Sequence, residues 1–221
     1  MEQPRFDTVF LDLDGTIIDS EPGIINSVVY ALEKFEIEKE RKELLPFIGP
    51  PLITSFQEYI GLSEEDARKA VEYYRENFGT KGVYEYRLYD GVETMLRELK
   101  EAGVHIVMAT SKPEHYAGII AKDAGIESYF TFICGATMDE SRLTKEDVIA
   151  YALEKCGKKP GDSSVIMVGD REHDIIGAKA FGLASAGVLY GFGRREELEE
   201  AGADVIFDSP EELKDFLKGE A

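Results

Sequence analysis

The chain has 221 residues, 43% hydrophobic and 31% charged, with 44 acidic against 25 basic side chains and a formal net charge of −19. That length allows one large domain, or a domain carrying an insertion, with a sizeable core. The acidic excess argues against nucleic acid and anionic membranes as partners, because both need a basic footprint, and an anionic ligand would need local positive groups to overcome the overall field.

Taken in chain order, Thr8-Val9-Phe10-Leu11 reads as a buried strand, and Asp12, Asp14 and Asp19 follow it within a few residues. From about residue 20 to 84 there is no convincing strand. Helical faces stand out instead, at Ile25, Val28, Val29 and Leu32, and at Ala67, Ala70, Val71, Tyr74 and Phe78. Ser63, followed by Glu64, Glu65 and Asp66, is an expected helix start. The run I-G-P-P-L at 48–52 cannot continue a helix and reads as a turn.

From about residue 86 the pattern alternates. Strands are expected at 104–110, 129–135, 164–170, 186–191 and 204–208, all short, apolar and bounded by turn residues. Between them, Val92, Met95, Leu96 and Leu99 keep helical spacing, with Gly103 as a stop. Thr144 caps a helix with Val148, Ile149, Ala152 and Leu153 on its apolar face, and Ser209-Pro210-Glu211-Glu212 reads as a capping box. Alternating strands and helices predict an α/β fold: a Rossmann-like parallel sheet core with an inserted all-helical domain. The expected division is 1–18 and 86–221 for the core and 19–85 for the insert. Cys134 and Cys156 make no disulfide framework, no apolar run approaches a membrane span, and the first ten residues lack a signal-peptide pattern. A cytoplasmic protein is the expectation.

Ligands of an open parallel sheet bind beyond the carboxyl ends of its strands. There the sequence places Asp12, Asp14, Gly15 and Thr16 after the first strand, Thr110, Ser111 and Lys112 after the 104–110 strand, and Asp170 with Asp174 after the 164–168 strand. Asp12 continues an apolar strand, a poor place for a turn residue. A divalent cation taking oxygens from Asp12 and Asp170 would neutralise the cluster, and a small set of hard oxygen donors favours Mg²⁺. Lys145 stands in the first turn of a helix, against the helix dipole, which is reasonable if an anion lies beside it. His105, His115 and His173 show no metal-ligand spacing, although His173 lies between two of the site aspartates.

The motifs D-L-D-G-T, V-M-A-T-S, Lys145 and G-D-R-E-H-D, in that order, resemble the four motifs of the haloacid dehalogenase-like hydrolase superfamily over nearly the whole chain. I-G-P-P-L and the stretch through L-Y-G-F-G resemble its phosphoglycolate phosphatase-like and 5′-nucleotidase-like branch. The resemblance implies a Mg²⁺-dependent phosphatase with a helical cap inserted after the first motif. It implies Asp12 as the nucleophile that forms an aspartyl-phosphate and Asp14 as general acid and then base. Asp12, the Asp14 main-chain carbonyl and Asp170 would hold the metal, with Asp174 binding or orienting a metal water. Thr110, Ser111, Lys145 and the N–H groups of the 13–15 turn, Gly15 included, would hold the phosphoryl oxygens.

The implied partner is a small phosphorylated metabolite, phosphoglycolate first and nucleoside 5′-monophosphates next, handled by a monomer or dimer. A sugar phosphomutase keeps the same aspartates, and a phospho-aspartate switch or binding module is the alternative from another class. Ser111 stands where many relatives have asparagine, and roles for Lys112 and Arg171 are open, Lys112 near Glu172, near the phosphate or in a surface salt bridge.

Overall fold

The computed structural model describes residues 4–139 and 141–220. In chain order, β1 (Thr8–Leu11) and β2 (Ile18–Asp19) precede four helices, α1 (Glu21–Glu33), α2 (Arg41–Leu44), α3 (Leu52–Ile60) and α4 (Glu64–Phe78). Then come β3 (Arg87–Leu88), α5 (Val92–Glu101), β4 (His105–Pro113), α6 (Glu114–Asp123), β5 (Phe132–Ala136) and α7 (Lys145–Cys156). The last third runs β6 (Val165–Gly169), α8 (Glu172–Ala180), β7 (Ala184–Val188), α9 (Arg195–Ala201), β8 (Val205–Phe207) and α10 (Pro210–Lys218). The chain divides into two compact units, Met1–Ile18 with Leu88–Ala221, and Asp19–Arg87.

The larger unit holds a six-stranded sheet in the order β5-β4-β1-β6-β7-β8, parallel throughout. β1 is central, pairing Phe10 with Val107 of β4 on one side and with Met167 of β6 on the other. Every residue of β1 and β6 is buried, as a parallel sheet covered on both faces requires. On one face Phe10, Val107, Ala109 and Cys134 pack with Val148, Ile149, Ala152 and Leu153 of α7. Met95, Leu96 and Leu99 of α5, and Leu213 and Leu217 of α10, are buried in helices that pack on each other. The sheet order reverses direction at β1, the kind of switch point beside which ligands collect.

The strand limits differ from the sequence expectation in ways the hydrogen bonds explain. Val104 is turned into the end of α5, its N–H donating to Leu99 O at 3.0 Å, so β4 starts at His105. β4 then runs on to Pro113, through a shift of register against β5 between Thr110 and Pro113. His105 opens that strand but is exposed. At α10 the expected capping box is only half formed: Ser209 Oγ accepts the Glu212 N–H, but the Glu212 carboxylate reaches back one residue further, to the Asp208 N–H.

The smaller unit is helical. Ser63 Oγ accepts the Asp66 N–H and starts α4, whose buried face is Ala67, Ala70, Val71, Tyr74 and Phe78. α4 packs against α1 and α3, and Phe47 meets the fully buried Phe56 edge-to-face at 4.9 Å. The 48–52 stretch is the turn its prolines require: Gly49 has φ 112°, and Pro51 caps α3. No helix among the described residues is long and apolar enough to cross a membrane.

Phe10 fills the layer between β1 and α7. Phe10→Ala is expected to cost about 3–5 kcal/mol, read as a lower urea midpoint with an unchanged slope.

Candidate active site

β1 ends at Leu11, and the next N–H, that of Asp12, donates to Val168 O at 3.0 Å, so the parallel pairing itself sets Asp12 beside the end of β6. β6 hands over through Gly169 to Asp170, and α8 presents Asp174 in its first turn. Gly169 is needed there, because a Cβ would collide with the Asp174 carboxylate. Asp174 Oδ2 accepts the Arg171 N–H at 3.1 Å, which folds the side chain back over the strand end.

Lys145 is the first residue of α7 and its side chain is buried. A reciprocal cap fixes that helix start: Thr144 Oγ1 accepts the Asp147 N–H at 3.1 Å, and Asp147 Oδ2 accepts the Thr144 N–H at 3.0 Å. The ammonium lies 2.6 Å from Asp174 Oδ1 and 3.0 Å from Asp12 Oδ1, and donates to Ala109 O at 3.0 Å. A cation facing into two buried carboxylates answers the oddity of a lysine in a first helical turn. Burial works against the charged lysine, but Asp12 and Asp174 outweigh it and raise its pKa, so it remains an ammonium.

Lys145 pairs with two carboxylates of a cluster of three. Asp12, Asp170 and Asp174 each bring an oxygen to within 4.8 Å of the others. Burial raises the pKa of Asp12; Lys145 offsets part of the shift and the Asp174 charge adds to it. Asp170 is pushed well above the ordinary carboxylate range by burial first, then by the charges of Asp174 and Asp12. The Oδ1 atoms of Asp12, Asp170 and Asp174 are all buried without a well-aligned hydrogen bond. Carboxylate oxygens converging in this way, Asp170 Oδ1 with no partner and Asp12 Oδ1 and Asp174 Oδ1 sharing the single Lys145 ammonium, fit a hard divalent cation, and the donor set contains no nitrogen or sulfur. Asp174 stands as close in as the other two. None of the three histidines belongs to the cluster, and His173 is exposed on α8.

The remaining expected residues fall at the same edge. Thr110 is buried, its hydroxyl accepts the Lys112 N–H at 3.2 Å, and a hydrogen bond from it lowers the Asp12 pKa. Ser111, next to it, is half-buried. Lys112 is buried rather than on the surface, and its ammonium pairs with Asp14 Oδ2 at 3.0 Å, while Asp14 Oδ1 is buried without a hydrogen bond. Gly15 departs from its expected part in binding phosphate. Its N–H donates to Ile18 O at 2.8 Å, closing the turn after the first motif, so it is not directed at a ligand. The residue is glycine for two other reasons: its φ is +81°, and a Cβ would run into the Asp170 carboxylate.

The sequence reading missed the segment after β7. The Phe192 N–H donates to Asp170 Oδ2 at 2.8 Å, the Tyr190 hydroxyl donates to Thr16 O at 3.2 Å, and side chains at Gly191 or Gly193 would strike the backbone of Gly15 or Asp170. The signal was present as two glycines spaced around one residue, but a glycine required by an approach from a distant strand looks like any turn glycine.

The chain is similar to known proteins over most of its length. Residues 9–188 match the family model described as haloacid dehalogenase-like hydrolase. A 5′-nucleotidase of Pseudomonas aeruginosa is 40% identical over 88% of this chain and 87% of its own. The tyrosine-protein kinase PtkA of Mycobacterium tuberculosis is 36% identical over 98% of this chain and 73% of its own. A crystal structure described as a predicted phosphatase from Clostridium acetobutylicum superposes with a TM-score of 0.90 at 47% identity, covering 95% of this chain and 96% of that one. The chain belongs to the haloacid dehalogenase-like hydrolase family. It is an enzyme of the phosphatase kind within that family.

The raised pKa of Asp170 has a stability consequence whose sign follows from linkage. A carboxyl whose folded pKa exceeds its unfolded value of 3.8 contributes stability below that value and loses it as pH rises through the folded pKa. In protein stripped of metal, Asp170→Asn is therefore expected to gain in melting temperature over the wild type as the pH is raised to neutrality. Paired thermal melts in EDTA at a series of pH values check it; a constant difference would contradict it.

Proposed function

We propose that the protein is a Mg²⁺-dependent phosphatase that hydrolyses small phosphate monoesters through an aspartyl-phosphate on Asp12. The observation that carries this reading is the pairing of Lys145 with both Asp12 and Asp174 at the strand ends, beside the buried Asp170 and the half-buried Asp14. In the first step an Asp12 carboxylate oxygen attacks phosphorus and the bond to the leaving alkoxide breaks. Asp14 gives that alkoxide a proton. With Lys112 on Oδ2, its Oδ1 is the atom available to carry the proton. In the second step Asp14 takes a proton from water, which attacks phosphorus, freeing inorganic phosphate and the Asp12 carboxylate.

Thr110, Ser111 and Lys145 hold the phosphoryl oxygens, Lys145 as a fixed buried cation where charge builds up. Asp12, Asp170, Asp174 and the Asp14 main-chain carbonyl hold Mg²⁺, which when bound neutralises charge on the phosphoryl group. The helical unit serves as a cap that excludes bulk water and selects the leaving group.

Nucleoside 5′-monophosphates are placed ahead of phosphoglycolate, reversing the sequence-based order, because a relative at 40% identity carries the name 5′-nucleotidase. The net charge of −19 supports a small metabolite as partner rather than nucleic acid or an anionic membrane.

The test is phosphate release, with and without EDTA, from a panel of nucleoside monophosphates and phosphoglycolate. Asp12→Asn is expected to lower turnover by roughly 10⁴-fold or more without altering the circular dichroism spectrum. Substantial residual turnover in that variant would remove Asp12 as nucleophile. A stable phosphoprotein without turnover would favour the switch.

A further inference from the structure

Asp170 is held from a direction that neither its own strand nor its own motif supplies. After β7 the chain crosses the ends of β1 and β6 and is fastened at three points before α9 is complete. The Tyr190 hydroxyl donates to Thr16 O at 3.2 Å, on the turn that carries Asp12 and Asp14. The Phe192 N–H donates to Asp170 Oδ2 at 2.8 Å. Glu197 Oε1, in α9, accepts both the Arg171 Nε–H at 2.7 Å and the Glu172 N–H at 3.0 Å, on the turn that carries Asp170 and Asp174. The strap thus bonds to both acidic turns, and it lies so close that side chains at residues 191 and 193 would strike Gly15 and Asp170.

The bonding pattern divides the work of the Asp170 carboxylate. Oδ2 faces the Phe192 N–H, while Oδ1 is buried and unpartnered, and the residue brings one carboxylate oxygen to the cluster with Asp12 and Asp174. A carboxylate tied by one oxygen cannot rotate freely, so the other is presented in a fixed direction. The Tyr190 ring is itself fixed, edge-on to Tyr89 at 5.2 Å, so its hydroxyl is a stiff anchor rather than a mobile one.

We infer that the Tyr190–Glu197 strap is a positioning element that sets the distance of Asp170 from the Asp12 turn and thereby the affinity for a divalent cation. It acts through Asp170 and through the turn that carries Asp12. The inference rests on the reading of the acidic cluster as a Mg²⁺ site.

The experiment is calorimetric titration of Mg²⁺ into EDTA-stripped wild type, Tyr190→Phe and Glu197→Ala, with melting temperatures of the three metal-free proteins alongside. Tyr190→Phe removes one oxygen and leaves the ring packing in place. Its Mg²⁺ dissociation constant is expected to rise about 10-fold, the usual size of an outer-sphere effect on a metal ligand, with a metal-free melting temperature close to that of the wild type. Glu197→Ala is expected to act in the same direction. Equal Mg²⁺ affinities in wild type and Tyr190→Phe would overturn the strap, as would a fall in melting temperature with unchanged affinity. Absence of Mg²⁺ binding by the wild type would instead overturn the metal site itself, and with it the reading on which the strap depends.

Discussion

The organisation of this molecule turns on one buried ammonium. Carboxylates withdrawn from water repel one another and resist ionisation, and three of them meet where β1 and β6 end. Lys145 reaches two of the three and rests on a backbone carbonyl of β4, the strand that flanks β1 on the side away from β6. Much nearby structure serves to keep it there. The Thr144–Asp147 cap fixes the helix that bears it, and the apolar face of α7 seats that helix on the sheet. Remove the lysine and the cluster would hold uncompensated charge, a loss of about 3–5 kcal/mol for a broken buried pair.

The parallel sheet contributes what a loop-built site would lack, which is register. Because β1 pairs in parallel with β4 and β6, the residues that follow each strand emerge at one edge, and hydrogen-bonded pairing fixes their spacing. The Asp12 N–H bond to Val168 O extends that pairing one residue into the site. Chemistry placed there inherits the rigidity of the core.

This explains which parts could be read beforehand. Helical faces such as Val148, Ile149, Ala152 and Leu153 repeat with the helix period, and strands such as Thr8–Leu11 are short apolar runs, so local pattern sufficed for the alternating fold. Asp12 and Lys145 were legible for a different reason: each breaks the local rule for its position, and such breaks mark sites. Lys112 breaks no rule, since a lysine after a strand is ordinarily solvated, and only packing reveals that it is buried against Asp14. The Gly15 N–H was misjudged because a turn's internal hydrogen bond, here to Ile18 O, cannot be told from a free donor without coordinates. Tyr190 and Phe192 lie 16 and 18 residues beyond Asp174, the nearest motif aspartate, and their part depends on distances that no spacing rule encodes.

The two short strands β2 and β3 form a sheet of their own, within which Asp19 pairs with Arg87 at 2.9 Å. The chain thus departs toward the helical unit and returns from it along neighbouring tracks, about 5 Å apart as paired strands are. To the sheet, the whole of the intervening segment is a closed loop whose ends never move apart, whatever lies between them. Such a junction makes the helical unit exchangeable: it can be lengthened, rebuilt or replaced in descent while the edge of the sheet keeps its register.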